Sequence, residues 1–172
     1  MEPTRIYDYL LASRERLFDA VRRAGPDGFG RPFPFGLRTL GVTLTHMMNA
    51  EWYYLERIED REVPPYESWP VQDERPPAFD ELERRWRGQG DRVRAVLGGV
   101  RDWSRRVAWT GFPDDQGRRF RIAASVGDLV TQLVLHEVHH RAQAMVMLRE
   151  LGSPLEDVDY NATMFERVPV GG

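Results

Sequence analysis

Apolar residues recur at helical spacing in four long stretches of this chain, and Gly and Pro punctuate the intervals between them. From Thr4 to Arg23, Ile6, Leu10, Leu17 and Val21 mark one stripe with Leu11 and Phe18 beside it. That pattern predicts an amphipathic helix, which Gly25-Pro26 ends. The stretch from Pro26 to Gly36, rich in Gly, Pro and Phe, reads as a packed loop. A second helix is predicted from Thr39 to Asp60. It is apolar around most of its circumference, through Met47, Met48, Ala50, Trp52, Tyr53, Tyr54 and Leu55, so its place is the interior. A loop follows from Glu62 to Pro77, with Pro64-Pro65 and Pro76-Pro77 as breakers. The third helix is predicted from Phe79 to Arg105 on Phe79, Leu82, Trp86, Val93, Val96, Leu97 and Val100. Gly88, Gly90, Gly98 and Gly99 weaken it, since each interior Gly costs about 1 kcal/mol against Ala. Val107 to Ile122, with turn residues from Pro113 to Gly117, reads as a short hairpin or extended link. The fourth helix runs from Ser125, a candidate N-cap with Asp128 in the first turn, to Leu151, where Gly152 and Pro154 stop it. One further short helix is expected around Tyr160 to Arg167.

Four long amphipathic segments with almost no strand signal predict an all-α four-helix bundle, with the short extended or hairpin link before its last long helix. The length of 172 residues suits a single domain over 1–172. Composition then narrows the chemistry. There is no cysteine, which removes disulfides, thiolate ligands and a cysteine nucleophile together, and leaves nitrogen and oxygen as metal donors. All 24 basic residues are arginine, so neither a Schiff-base lysine nor a P-loop lysine exists. The net charge of −3 exerts no general pull toward nucleic acid or anionic membrane. Arginines from Arg101 to Arg121 are balanced by acids overall, and no nucleic-acid motif accompanies them. With no apolar run long enough to span a bilayer and no secretory signal, the expected location is the cytoplasm.

The four histidines carry the clearest chemical signal: His46, His136, His139 and His140. On the fourth helix, Val126, Leu129, Val130, Leu133, Ala144, Met147, Leu148 and Leu151 define a core-facing stripe. His136 and His140 fall inside it, one turn apart, while His139 points about 100° or more from its centre. Two imidazoles at i and i+4 sit close enough to share an ion. The bland alternative is a pair of core histidines satisfied by backbone or by Glu137. The run His136-Glu137-Val138-His139-His140 also matches the short H-E-x-x-H pattern. The longer metzincin form fails, because Gln143 and Val146 stand where Gly and His are required. A protease of that type would need a third ligand from Glu156 or Glu166. The other source is His46 on a facing helix, which would leave the metal with an open position. Glu51 reads either as a carboxylate orienting a ligand histidine or as a surface acid facing Arg57 or solvent. Asp159 reads either as a cap of the terminal helix or as a group near the site.

The segments Leu44-Thr45-His46-Met47-Met48-Asn49-Ala50-Glu51, His136-Glu137-Val138-His139-His140-Arg141-Ala142-Gln143 and Leu148-Arg149-Glu150-Leu151-Gly152 resemble the DinB/YfiT-like family of bacterial metalloproteins. The resemblance covers nearly the whole chain, including Thr110 and Gly117 in the link and Asp157 and Asp159 in the tail. Its strongest part is H-x-x-x-H-R-x-Q on the last long helix with one histidine about ninety residues earlier. It implies a four-helix bundle with His46, His136 and His140 as ligands to zinc, nickel or a similar divalent ion. Ala142 stands where the family often has Gly. Some relatives are S-transferases or isomerases that use a low-molecular-weight thiol, and the family commonly forms homodimers; exposed aromatics in Pro32 to Phe35 and Tyr66 to Pro70 are candidates for such an interface.

Three functions follow. The first is a metal-dependent S-transferase that brings a small-molecule thiol to an electrophile. The second is a metal-dependent hydrolase with Glu137 as general base. The third is a non-catalytic metal-binding stress-response protein in which the ion mainly holds two helices together.

Overall fold

The computed structural model describes residues 2–156 and 158–168. Asp157, named above in the tail, lies outside the described residues. The first helix, α1, spans Pro3–Gly30 and has Pro at its start, where a missing N–H costs nothing. It breaks at Gly25, whose φ of 73° and ψ of 175° suit glycine alone. The break stands where Gly25-Pro26 was expected to end the helix. Pro26 then restarts the helix for a final turn, so part of the expected loop is helical, with Gly28 and Phe29 buried.

Helix α2 spans Leu40–Ile58 and is capped by Thr39, whose hydroxyl accepts from the Val42 N–H at 3.0 Å. The connection after it contains a 3-10 turn at Tyr66–Ser68. Helix α3 spans Phe79–Gly99, ending at the Gly98-Gly99 pair instead of reaching Arg105. Consecutive glycines there give the chain no reason to continue a helix.

Strands β1 (Arg106–Thr110) and β2 (Arg121–Ser125) pair antiparallel, with Arg106 opposite Ser125 and Thr110 opposite Arg121. The hairpin reading of the link therefore holds. The all-α expectation needs correcting to a mostly helical fold with one small two-stranded sheet. Helix α4 spans Val126–Glu150 and starts in a capping box. The Ser125 hydroxyl accepts from the Asp128 N–H, and the Asp128 carboxylate accepts from the Ser125 N–H. A short α5, Tyr160–Met164, closes against α1. Asp159 is its N-cap position, without a side-chain capping bond.

Helix α1 packs on α2, α3 and α4, α2 packs also on α3 and α4, and α2 meets α4 most extensively. Their buried apolar side chains form two clusters. One gathers Leu17, Phe18, Leu40, Leu44, Met47, Trp86, Met147 and Leu148. The other gathers Tyr7, Leu10, Leu55, Val93, Leu97, Val126, Leu129 and Leu133. On three of these helices the gap between the two is filled by polar residues that are themselves buried: Arg14 on α1, Glu51 on α2, Glu137, His140 and Arg141 on α4. Three of the four histidines lie at or beside this polar level. Among the described residues no helix is long and apolar enough to cross a membrane.

Candidate metal centre

The α2–α4 contact brings His46 to His136 and His140. Their Nε2 atoms for the pair His46 and His136 face each other at 3.1 Å, and the ring centroids of His46 and His140 lie 4.7 Å apart. One ring nitrogen from each of the three falls within 4.8 Å of the others. Zinc holds imidazole nitrogen at about 2.0–2.1 Å, so two nitrogens on one tetrahedral ion stand about 3.3 Å apart. The 3.1 Å pair fits that spacing.

The outer nitrogens explain why the inner ones converge. The Nδ1 of His46 lies 2.7 Å from a carboxylate oxygen of Asp73, which can only accept, so Nδ1 carries a proton and Nε2 is the nitrogen turned toward the other histidines. The other Asp73 oxygen accepts from the Asn49 amide at 2.7 Å. The Asp73 backbone N–H donates to the Tyr66 hydroxyl at 2.7 Å. The Nδ1–H of His140 donates to the Gln143 carbonyl oxygen at 3.0 Å, while the Gln143 amide donates to His139 at 3.0 Å. Gly36, at a φ of 56°, passes so close to Gln143 and Met147 that a Cβ would meet each at 3.3 Å. Fixing the outer N–H in this way sets tautomer and ring orientation, which is the usual support for a metal-ligating histidine.

Burial, together with the neighbouring imidazoles of His140 and His46, holds His136 down to about 4, well below the ordinary histidine value of 6.5. Burial also lowers His140. Both imidazoles are therefore neutral at pH 7, the form that donates to a metal. The site opens beside an aromatic rim. Tyr54 lies 6.5 Å from His136 between ring centroids, and Tyr53 packs on Tyr54, Trp69 and Phe112.

The other sequence candidates go elsewhere. His139 is exposed, as its position off the stripe predicted. Glu156 and Glu166 are exposed and do not join the histidine group. Glu51 fits neither of its expected roles: it is buried and accepts from Arg14 at 2.5 Å, Gln89 at 2.9 Å, Tyr7 at 3.0 Å and Trp86 at 3.1 Å. Glu137 is buried beside it and takes the same Arg14 nitrogen at 2.6 Å. Burial raises the Glu137 carboxyl, with Arg14 opposing that shift and Glu51 adding to it. Burial works against charge on Arg14 as well, but Glu137 and Glu51 outweigh it and keep the guanidinium firmly protonated. Asp73, which orients His46, was missed because it lies in a stretch legible only as a loop.

Three imidazoles thus converge from two helices, with outer nitrogens held by Asp73 and Gln143. The family model of the DinB family matches residues 1–168. The chain belongs to the DinB family. A search among curated proteins found no match. Family membership and the histidine group together describe a DinB protein with a site suited to a divalent ion.

Proposed function

We propose that this DinB protein is a metal-dependent S-transferase in which His46, His136 and His140 hold one divalent ion, zinc or nickel, and a low-molecular-weight thiol is the sulfur donor. The observation that carries the reading is the convergence of three imidazoles whose two outer N–H groups are already committed to Asp73 and Gln143. A divalent ion with three protein donors keeps a position for a ligand and favours the deprotonated form of a thiol placed there. The chain's own residues do the rest. Asp73 and Gln143 orient two of the donor rings, and the low proton affinity of His136 keeps it available. Tyr53, Tyr54, Trp69 and Phe112 offer an apolar surface beside the histidines that limits water around a reacting electrophile. The net change is transfer of sulfur to carbon, with the thiol proton passing to solvent and the leaving group departing with its bonding electrons. No cysteine of the protein is required, in keeping with its absence.

The hydrolase reading assigns general-base work to Glu137, whose carboxylate here is committed to Arg14. For that reason we prefer thiol transfer. Elemental analysis of the purified protein tests the centre first. About one zinc or nickel per chain is expected in the wild type and none in His46→Ala, with both folded by circular dichroism. Thiol-dependent consumption of an alkylating electrophile by the loaded wild type then tests the reaction. Turnover without thiol that is lost in Glu137→Gln while metal is retained points to the hydrolase instead. A folded wild type that takes up neither ion removes the metal reading.

A further inference from the structure

From His46 onward on α2, Met47, Met48, Asn49, Glu51, Leu55, Glu56 and Ile58 are buried, whereas His46, Ala50, Trp52, Tyr53, Tyr54 and Arg57 stay partly exposed. Four of the partly exposed residues, His46, Ala50, Tyr53 and Arg57, form a strip along the helix. At about 100° per residue, Ala50, Tyr53 and Arg57 all fall within about 40° of His46 around the axis. At 1.5 Å per residue, Arg57 lies about 16 Å along the helix from His46. Ala50, one turn on, presents only a methyl group. The strip is rimmed by Tyr54 beside His136, and by Trp69 and Phe112, which pack on Tyr53 at 6.0 and 6.1 Å between ring centroids.

The far end has a polar deficit. The Arg57 guanidinium sits between two rings, 5.0 Å from the centroid of Tyr53 and 5.4 Å from that of Trp109 on β1. Among the described residues no carboxylate pairs with it; the adjacent Glu56 and Glu59 go to Arg92 and Arg61. Arg57 Nε and Trp109 Nε1 are both buried donors without an acceptor. A buried N–H left unpaired is costly, and two in one locality, one of them on a cation, call for an oxygen that carries negative charge.

We propose that the strip from His46 to Arg57 binds an elongated small molecule that ends in a carboxylate, with its thiol at the histidines, its apolar body over Ala50 and Tyr53, and its carboxylate on Arg57 and Trp109. The thiol end rests on the metal-centre reading, whereas the anion end stands on Arg57 and Trp109 alone. A carboxylate suits this end because the planar guanidinium presents paired donors to its two oxygens. An ordered water would also satisfy the donors, but it would create no preference for charge.

Zinc-loaded protein titrated with mercaptoalkanoates of graded chain length, and with the matching mercaptoalkanols, tests this by tryptophan fluorescence. The carboxylate should bind about tenfold more tightly than the alcohol at chain lengths that cover about 16 Å. Arg57→Gln should abolish that preference, and Trp109→Phe, which removes only the indole donor, should reduce it. Equal binding of the two probes to the wild type, or a preference that survives Arg57→Gln, overturns the proposal. Should the protein take up no metal, alkanoates and alkanols lacking the thiol make the same comparison. A carboxylate preference lost in Arg57→Gln then upholds the anion end while the metal-centre reading falls, and no preference overturns both.

Discussion

With its Nδ1–H given to Asp73 at 2.7 Å, His46 turns its other ring nitrogen toward His136. Asp73→Asn exchanges a charged acceptor for a neutral amide at that point. Zinc affinity, measured by competition with a chelating dye, is expected to fall about 10–100-fold while the helical circular dichroism is unchanged. An unchanged affinity would show that Asp73 does not support the ligand. Arg14 is the second residue on which much depends. It is 1% exposed and bonds both Glu51 and Glu137, and Trp86 stacks on it at 4.2 Å from the ring centroid. Arg14→Met leaves two buried carboxylates without their cation, which should cost about 3–5 kcal/mol in urea denaturation. Adding Glu137→Met should recover part of that loss, because one of the two stranded acids is gone. A strictly additive double variant would deny the coupling.

Among the elements, α3 tolerates its glycines for different local reasons. A Cβ at Gly90 would meet Leu11 at 2.9 Å and approach Arg14 and Tyr7, so the close approach of α1 uses that position. Gly88 has nothing within 4 Å of a Cβ and is exposed. Gly88→Ala is therefore expected to stabilise the protein by about 0.5–1 kcal/mol, read as a higher urea midpoint with an unchanged slope. A lower midpoint would mean that the helix there is not regular. The pair Gly98-Gly99 ends α3, freeing the chain for the turn that leads into β1. The sheet in turn delivers Trp109 to Arg57, and the loop beyond β1 delivers Phe112 to the aromatic rim.

For the molecule as a whole, the two apolar clusters stabilise the fold above and below a polar level that contains the site. That arrangement has a consequence for pH. In the metal-free protein, His136 is held to about 4 when folded, against 6.5 for an ordinary histidine. Between those values the unfolded chain binds the proton and the folded chain does not. This contribution therefore disfavours folding increasingly as pH falls from about 6.5 to about 4, and adds nothing further below that. His140, also lowered, acts in the same direction. Denaturation of the chelator-treated protein should show stability falling more steeply over that interval in the wild type than in His136→Gln. Parallel profiles would mean that His136 is as open to water folded as unfolded.

Much of this was already present in the order of residues. The 3.6-residue period located four long helices, Gly25-Pro26 marked the break in α1, and Ser125 with Asp128 marked the start of α4. The i, i+4 spacing placed His136 and His140 on one face and left His139 outside. These are properties of a single helix, determined by which neighbours along the chain share a side. The proximity of His46 to the other two came from family resemblance, since a helix apolar nearly all round has no face that periodicity can single out. Glu51 and Glu137 became partners of Arg14 through contacts spanning 37 and 123 residues. Asp73 reached His46 across 27, out of a Pro-rich connection without periodic signal. Such pairings depend on how far each helix is rotated about its axis and on the path a loop takes between them. Packing of the two apolar clusters determines both, and no local pattern encodes either.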